Sequence, residues 1–227
     1  VMLLDSLQRS GILDIHLYVM LTPNRENIEN LVMKGGIRND MKIARSIKIY
    51  ADGSLGSRTA RLKMPYSDAH NHLGLVVTSP DSVSALCKLA YENDFQVNTH
   101  CIGDAANEMV LKVYSSFLKG KNDRRWRVEH AQVVDPADLH YFGDYSIIPS
   151  VQSTHATSDM NWADERLGAD RIRNAYAYRT LLEQNGWLPN GTDFPIENIS
   201  PLYTFYAAVA RRDLHGLPEG GFQPENA

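Results

Sequence analysis

Cysteine is scarce in this 227-residue chain: Cys87 and Cys101 are the only two, and they form neither a CxxC pair nor a framework. That excludes a disulfide-stapled scaffold and fits a reducing compartment such as the cytoplasm. No apolar run approaches the ~20 residues that a membrane span requires. The net charge of −4 lacks the basic excess that nucleic acid or an anionic membrane surface would call for. There is no low-complexity segment. The opening Val1-Met2-Leu3-Leu4-Asp5 has no basic start and no cleavage site, so it is not a signal peptide. It reads as a helix entered partway, and the closing 220–227 reads as a loop, so a piece of a longer chain is expected. What remains is an ordinary globular composition, 43% hydrophobic and 22% charged, with length enough for one large domain or two small ones. The expected partner is a small molecule, not nucleic acid and not a membrane.

Strand and helix signals alternate. Residues 3–9 read as a helix, with apolar residues at Leu3, Leu4 and Leu7. A strand is expected over 12–21 and a helix over 25–33, ended by Gly35-Gly36. Residues 46–50 form a strand that runs into a long loop, 54–74, rich in Ser, Gly, Arg and His. A loop that long inside a compact domain is usually functional. Ser79 as N-cap and Pro80 in the first position open a helix to Tyr91. The run 97–101 is too short and too β-branched for a helix, and a helical pattern follows over 105–118. Strands are expected at 126–130 and 147–152, with a short helix begun by Asp135-Pro136 between them. Helices follow at 164–168 and 171–185, then a final strand at 187–193 in spite of Pro189, then a helix at 200–211.

Strand-then-helix repetition without hairpin signals argues for parallel βαβ units. About six strands are expected, where a closed (β/α)₈ barrel of ~250 residues needs eight. The fold class is therefore α/β, a TIM-type barrel represented by about strands 3 to 8, with residues 1–227 forming one partial barrel domain.

Polar side chains at strand ends are where such barrels place their chemistry. His100 and His130 each close a strand on successive units; either one alone is more often a satisfied polar residue than a ligand, but two neutral imidazoles aimed at one mouth suit Zn²⁺ or a similar ion. Lys48 lies inside the apolar run Ile47-Lys48-Ile49-Tyr50, where an ammonium is costly unless it is paired, neutral or able to snorkel to the barrel end. Asp193, in Gly191-Thr192-Asp193-Phe194-Pro195, can ligate a metal or take a proton, or simply cap a turn. Glu129, next to His130, reads as a structural ion pair with Arg127 or a helix lysine, and Asp52-Gly53 as a turn.

Four ordered motifs carry a resemblance. Lys48-Ile49-Tyr50-Ala51-Asp52-Gly53-Ser54, Thr99-His100-Cys101-Ile102-Gly103-Asp104-Ala105, Arg127-Val128-Glu129-His130-Ala131-Gln132 and Gly191-Thr192-Asp193-Phe194-Pro195 resemble the amidohydrolase superfamily. The nearest branch is the one that includes N-substituted formamide deformylases and the YtcJ-like hydrolases. The resemblance runs from about Leu13 to the end of the chain. It implies a metal-dependent hydrolase of C–N bonds, on a barrel flanked by a small β-sandwich. It also implies that Lys48 is carboxylated by CO₂ into an oxygen ligand, and that His100 and His130 share its metal. Asp193 is then the ligand of the second ion and the general base towards a water whose pKa the metal lowers.

By the same resemblance Arg58, in the loop after the lysine strand, is expected to orient a polar substrate group, and Gln152, His155 and Asp159 to face the substrate. The family's His-x-His pair before the lysine has no counterpart here. His70-Asn71-His72 is no substitute, because it follows Lys48 and a Pro-Tyr-Ser-Asp turn instead of an apolar strand. One metal through Lys48, His100 and His130 is therefore expected, with the chain inactive or crippled on its own and self-association through the open barrel edge. Two other readings share the pattern: a non-catalytic barrel-like binding domain with structural histidines, and a Schiff-base aldolase using Lys48.

Overall fold

In the computed structural model, residues 2–227 are described. The chain folds as α1 (Met2–Arg9), β1 (Leu17–Leu21), α2 (Arg25–Asn30), β2 (Ile37–Arg38) and β3 (Lys42–Tyr50), followed by α3 (Pro80–Glu92), β4 (Gln96–Cys101), α4 (Asp104–Leu118) and β5 (Arg127–His130). Then come α5 (His140–Asp144), β6 (Ile148–Ser150), α6 (Ser153–Asp159), α7 (Ala163–Arg171), α8 (Tyr178–Asn185) and α9 (Pro201–Ala210). The sheet order is β1-β3-β4-β5-β6, and every neighbour along that path is parallel. This is the α/β sheet of a truncated TIM-type barrel, helices covering the outside and strand ends opening on one face.

Local chemistry explains most of these elements. Ser79 caps α3 by accepting from the Ser82 N–H, with Pro80 filling the first position where no donor is needed. β4 and β5 are buried runs of the kind a parallel sheet covers on both faces. Outside them, Trp126 is fully buried among Tyr91, Tyr114 and Phe117, and its indole N–H donates to the Phe95 carbonyl at 3.1 Å. Burying the ring while satisfying its one donor is what lets so large a side chain sit in the core.

Four sequence expectations change. The first strand begins at Leu17, not at residue 12. A short hairpin exists after all: β2 pairs antiparallel with β3, and the Asn39 side chain takes the N–H groups of Met41 and Lys42 to close its turn. The helix expected over 171–185 is broken: Ala175 bridges Val133, Tyr176 donates its N–H to the Gln132 carbonyl at 2.7 Å, and burial of the Tyr176 ring outweighs helix continuity. The strand expected over 187–193 reduces to a single parallel bridge, Val151 with Asn190. Pro189 accepts from the Val151 N–H but has no N–H to return, so the ladder stops there.

Candidate functional site

The ladder fixes which side chains share a face. Lys48 is paired with Asn98, Tyr50 with His100, His100 with Glu129, and Cys101 with His130. Lys48, His100 and Glu129 thus belong to one face of the sheet, and by alternation His130 belongs to the other. It escapes that face because the strand ends on it in a left-handed turn, with φ of 74° at His130 and 43° at Ala131. Non-glycine residues adopt such angles rarely and cluster at functional sites when they do. The result is an edge-to-face contact of the His130 and His100 rings at 4.5 Å, with the His155 ring 5.6 Å from His130 on its other side.

His100 is held by what precedes the long loop. Its Nε2 lies 3.0 Å from the Gly53 carbonyl, so that nitrogen carries the proton, and 3.6 Å from Asp52. Asp52 is a buried junction: its carboxylate accepts from the N–H groups of Arg61, Ile102 and Gly103 at 2.8, 3.0 and 2.8 Å. Burial still pushes Asp52 up to about 7, outweighing those three donors. A Cβ on Gly103 would meet the Arg61 carbonyl oxygen at 2.0 Å, so a glycine is what lets loop and strand end lie this close.

The histidines differ in charge. Burial, helped by the neighbouring His100 and His155, takes His130 down to about 3, and its buried Nδ1 has no hydrogen-bond partner. Burial also lowers His100. His155 is buried as well, but it donates to Asp193 at 3.2 Å and to Glu197 at 3.3 Å, and those two bonds carry it up to about 9. Burial alone would raise Asp193; the bond from His155 holds it below the usual carboxylate range. Desolvation lowers Lys48, whose ammonium makes no hydrogen bond or ion pair among the described residues and sits 5.0 Å over the Tyr50 ring.

One nitrogen each from His130 and His155 and one oxygen of Asp193 lie within 4.8 Å of one another, close enough to hold a single cation. The donor set fits a divalent ion: an orphaned neutral imidazole, a carboxylate, and a second imidazole whose positive charge the ion would replace between Asp193 and Glu197.

A cavity of about 460 Å³ opens over this cluster. Of the side chains singled out from sequence, Lys48, His100, His130, His155, Asp159 and Asp193 line it. Arg58 and Gln152 do not: Arg58 makes a two-point contact with Asp68, and Gln152 is buried against Ser150. Glu129 pairs with Arg127 at 2.7 Å, as expected. Two contributors escaped the sequence reading. Glu197 comes four residues after Asp193, a spacing that could have drawn notice; Asp52, read as a turn, is a buried acceptor instead.

Residues 8–227 match the sequence pattern of the amidohydrolase family. The chain is 37% identical over 170 residues to a putative amidohydrolase, YtcJ, of Bacillus subtilis, covering 75% of this chain and 32% of that one. It is 36% identical over 183 residues to the protein LONG AFTER FAR-RED 3 of Arabidopsis thaliana, covering 79% and 31%. An uncharacterised metal-dependent hydrolase from Pyrococcus horikoshii superposes with a TM-score of 0.82 at 32% identity, over 92% of this chain and 42% of that structure. The chain thus spans about a third of the length of these curated relatives. Both cysteines are free and buried, and no helix among the described residues is long and apolar enough to cross a membrane.

Proposed function

Because the chain belongs to the amidohydrolase family, we propose that it carries the catalytic face of a metal-dependent hydrolase of C–N bonds, of the amide or formamide type, acting on a small molecule. The observation that supports this best is the meeting of Lys48, His100, His130, His155 and Asp193 in one cavity. His130, His155 and Asp193 are the proposed holders of a divalent ion, with His100 and Lys48 beside them; Zn²⁺ is the first choice for nitrogen and oxygen donors. Bound there, the ion supplies Lewis acidity towards the scissile carbonyl and towards a water.

The chain's own groups do the rest. Asp193, held as a carboxylate, is the base that takes the water's proton and can return it to the leaving nitrogen. Glu197 keeps the His155 ring oriented by accepting from its Nδ1, which leaves Nε2, beside Asp193, to exchange its proton for the ion. Lys48, lowered by burial, is the amine best able to add to CO₂: the ammonium first gives up a proton to water, the freed nitrogen lone pair attacks the carbon, and a second proton leaves the nitrogen to give an anionic carbamate. Leu55, Ile102, Trp162 and Ile196 give the cavity an apolar side for the substrate.

The test is zinc stoichiometry on the purified chain, measured together with hydrolysis of an N-substituted formamide. No His-x-His pair precedes Lys48 in this chain, so about one ion is expected, with weak turnover. Retention of no zinc, or equal retention after joint replacement of His130 and Asp193 by alanine, would overturn the reading.

A further inference from the structure

An indole plate, Trp162, forms part of the cavity wall. Trp162 lines the cavity from the start of α7, and Gly56, in the loop after Lys48, lines it directly beside the indole. A Cβ on Gly56 would come within 3.2 Å of the indole edge, so a side chain there would have to push the ring. The indole is fixed from behind: the Arg166 guanidinium lies 5.6 Å from its ring and donates to the Gly56 carbonyl at 3.4 Å. Arg166 is in turn clamped by Asp68, whose carboxylate also takes Arg58 through contacts of 3.0 and 2.7 Å. Arg171 adds bonds to the carbonyls of Met64 and Pro65, so the loop and α7 form one rim.

We infer that Trp162 is the specificity-determining wall of the cavity, limiting the length of the substrate's apolar substituent, with Gly56 making room for it and Asp68 positioning it through Arg166. The inference deepens the hydrolase reading and rests on it. It also gives Arg58 a role outside substrate contact, as the second arm of the Asp68 latch. Asp68 is a positioning residue in this scheme, since it touches Arg166 and not the cavity.

The experiment is calorimetric titration of the zinc-loaded chain with straight-chain hydroxamates from aceto- to octanohydroxamate, which anchor on a metal and differ only in tail length. The readout is the ratio of long-tail to short-tail affinity, not activity. Trp162→Ala is expected to move that ratio at least about tenfold towards the long tail, and Gly56→Val about tenfold the other way, the scale of one or two methylenes accepted or refused by an apolar wall. Trp162→Phe, which keeps an aromatic plate and guards against a misfolded alanine variant, is expected to fall between. Asp68→Asn is expected to shift the ratio in the direction of Trp162→Ala, by less. A ratio that moves by under about twofold in both the Trp162→Phe and Gly56→Val proteins overturns the inference. So does an Asp68→Asn protein weakened by one common factor for all tails. If the native zinc-loaded chain binds no hydroxamate at all, the hydrolase reading falls and takes this one with it; tight but length-blind binding sinks the inference alone.

Discussion

The rings of His100 and His130 meet edge to face at 4.5 Å even though the two residues stand one step out of register on adjacent strands. The left-handed turn at His130 is what cancels the step. Without it, alternation would send the second imidazole into the helix layer and leave the first alone at the mouth. Burial keeps both below their ordinary pKa, and His130 is lowered further because it would have to charge facing His100 and His155. Neutral imidazoles with a free lone pair are what a metal needs, and the orphaned Nδ1 of His130 is such a lone pair.

Replacing His130 with alanine should therefore weaken zinc binding by at least about 100-fold in a chelator-competition titration, the scale on which loss of one of a few ligands acts. The apo-protein should not suffer in proportion, because an unpartnered buried polar nitrogen leaves with the ring. An affinity within about threefold of native would remove His130 from the ligand set.

The metal-free chain should also carry a pH signature from His155. Its folded pKa of about 9 lies above the ordinary 6.5, so its contribution to stability is fully present below about pH 6.5 and is lost as pH climbs to 9. The decline is bounded by about 1.4 kcal/mol per pH unit for a single proton. The partners act on the acid side: Asp193 and Glu197 are depressed, so their share is present above the ordinary carboxylate pKa and fades as pH falls through their folded values. In thermal melts between pH 5 and 9.5, the stability difference between the native and His155→Gln proteins should hold up to about pH 6.5 and shrink towards pH 9, the other titrating groups being common to both. A difference that grows over that range would contradict the carboxylate–imidazole–carboxylate arrangement.

Much of this was legible in the residues. Ser79-Pro80 marked a helix start that the hydrogen bonds bear out, and the short β-branched run ending at Cys101 was the buried strand it looked like. The failures share a cause. Residues 12–16 form no strand and 187–193 keep a single bridge in spite of their apolar content, because a strand exists only where a neighbour takes its N–H and carbonyl groups, and that is a property of the sheet and not of the segment. Tyr176 broke a helix for the sake of a buried ring and a hydroxyl 2.8 Å from Asp159, a contact 17 residues away that no local pattern announces. At the site, the histidines were visible from their position at strand ends, although for His130 the strand period alone points to the wrong face. Glu197 and Asp52 were not, since both matter through groups distant in sequence: Asp52 through backbone N–H groups at 61, 102 and 103.

Lys48 offers a test of its proposed chemistry that needs no turnover. Zinc-loaded chain equilibrated with ¹³C-bicarbonate should give a carbamate carbon resonance that disappears in Lys48→Gln. The resonance should be weaker without metal, since a buried anion beside Glu129 and Asp193 then lacks a counterion. A spectrum identical in the native and Lys48→Gln proteins would leave Lys48 as a buried amine only.

Asp52 gives the sharpest stability prediction, because one carboxylate replaces three separate loop contacts. Its Oδ2 takes the N–H of Arg61 and of Gly103, and its Oδ1 takes that of Ile102. Alanine would strand three backbone donors in a place where the residue itself is 2% exposed, each donor costing about 1–3 kcal/mol if water cannot reach it. Partial relaxation makes about 3–5 kcal/mol the expected total for Asp52→Ala. Asparagine keeps an oxygen for one side of the junction but turns an NH₂ towards donors on the other, so a loss of about 1–3 kcal/mol is expected. Urea titration reads both as lowered midpoints at constant slope. The same loss should reach the site, since Gly53, next in sequence, holds the His100 ring through its carbonyl. Asp52→Ala should therefore weaken zinc binding even where the protein is still folded, whereas an equally destabilising cavity made at Trp126, whose contacts lie with Tyr91, Tyr114 and Phe117 in the helix layer, should not. Equal zinc affinity in the two destabilised proteins would reduce Asp52 to a loop clamp with no bearing on the metal.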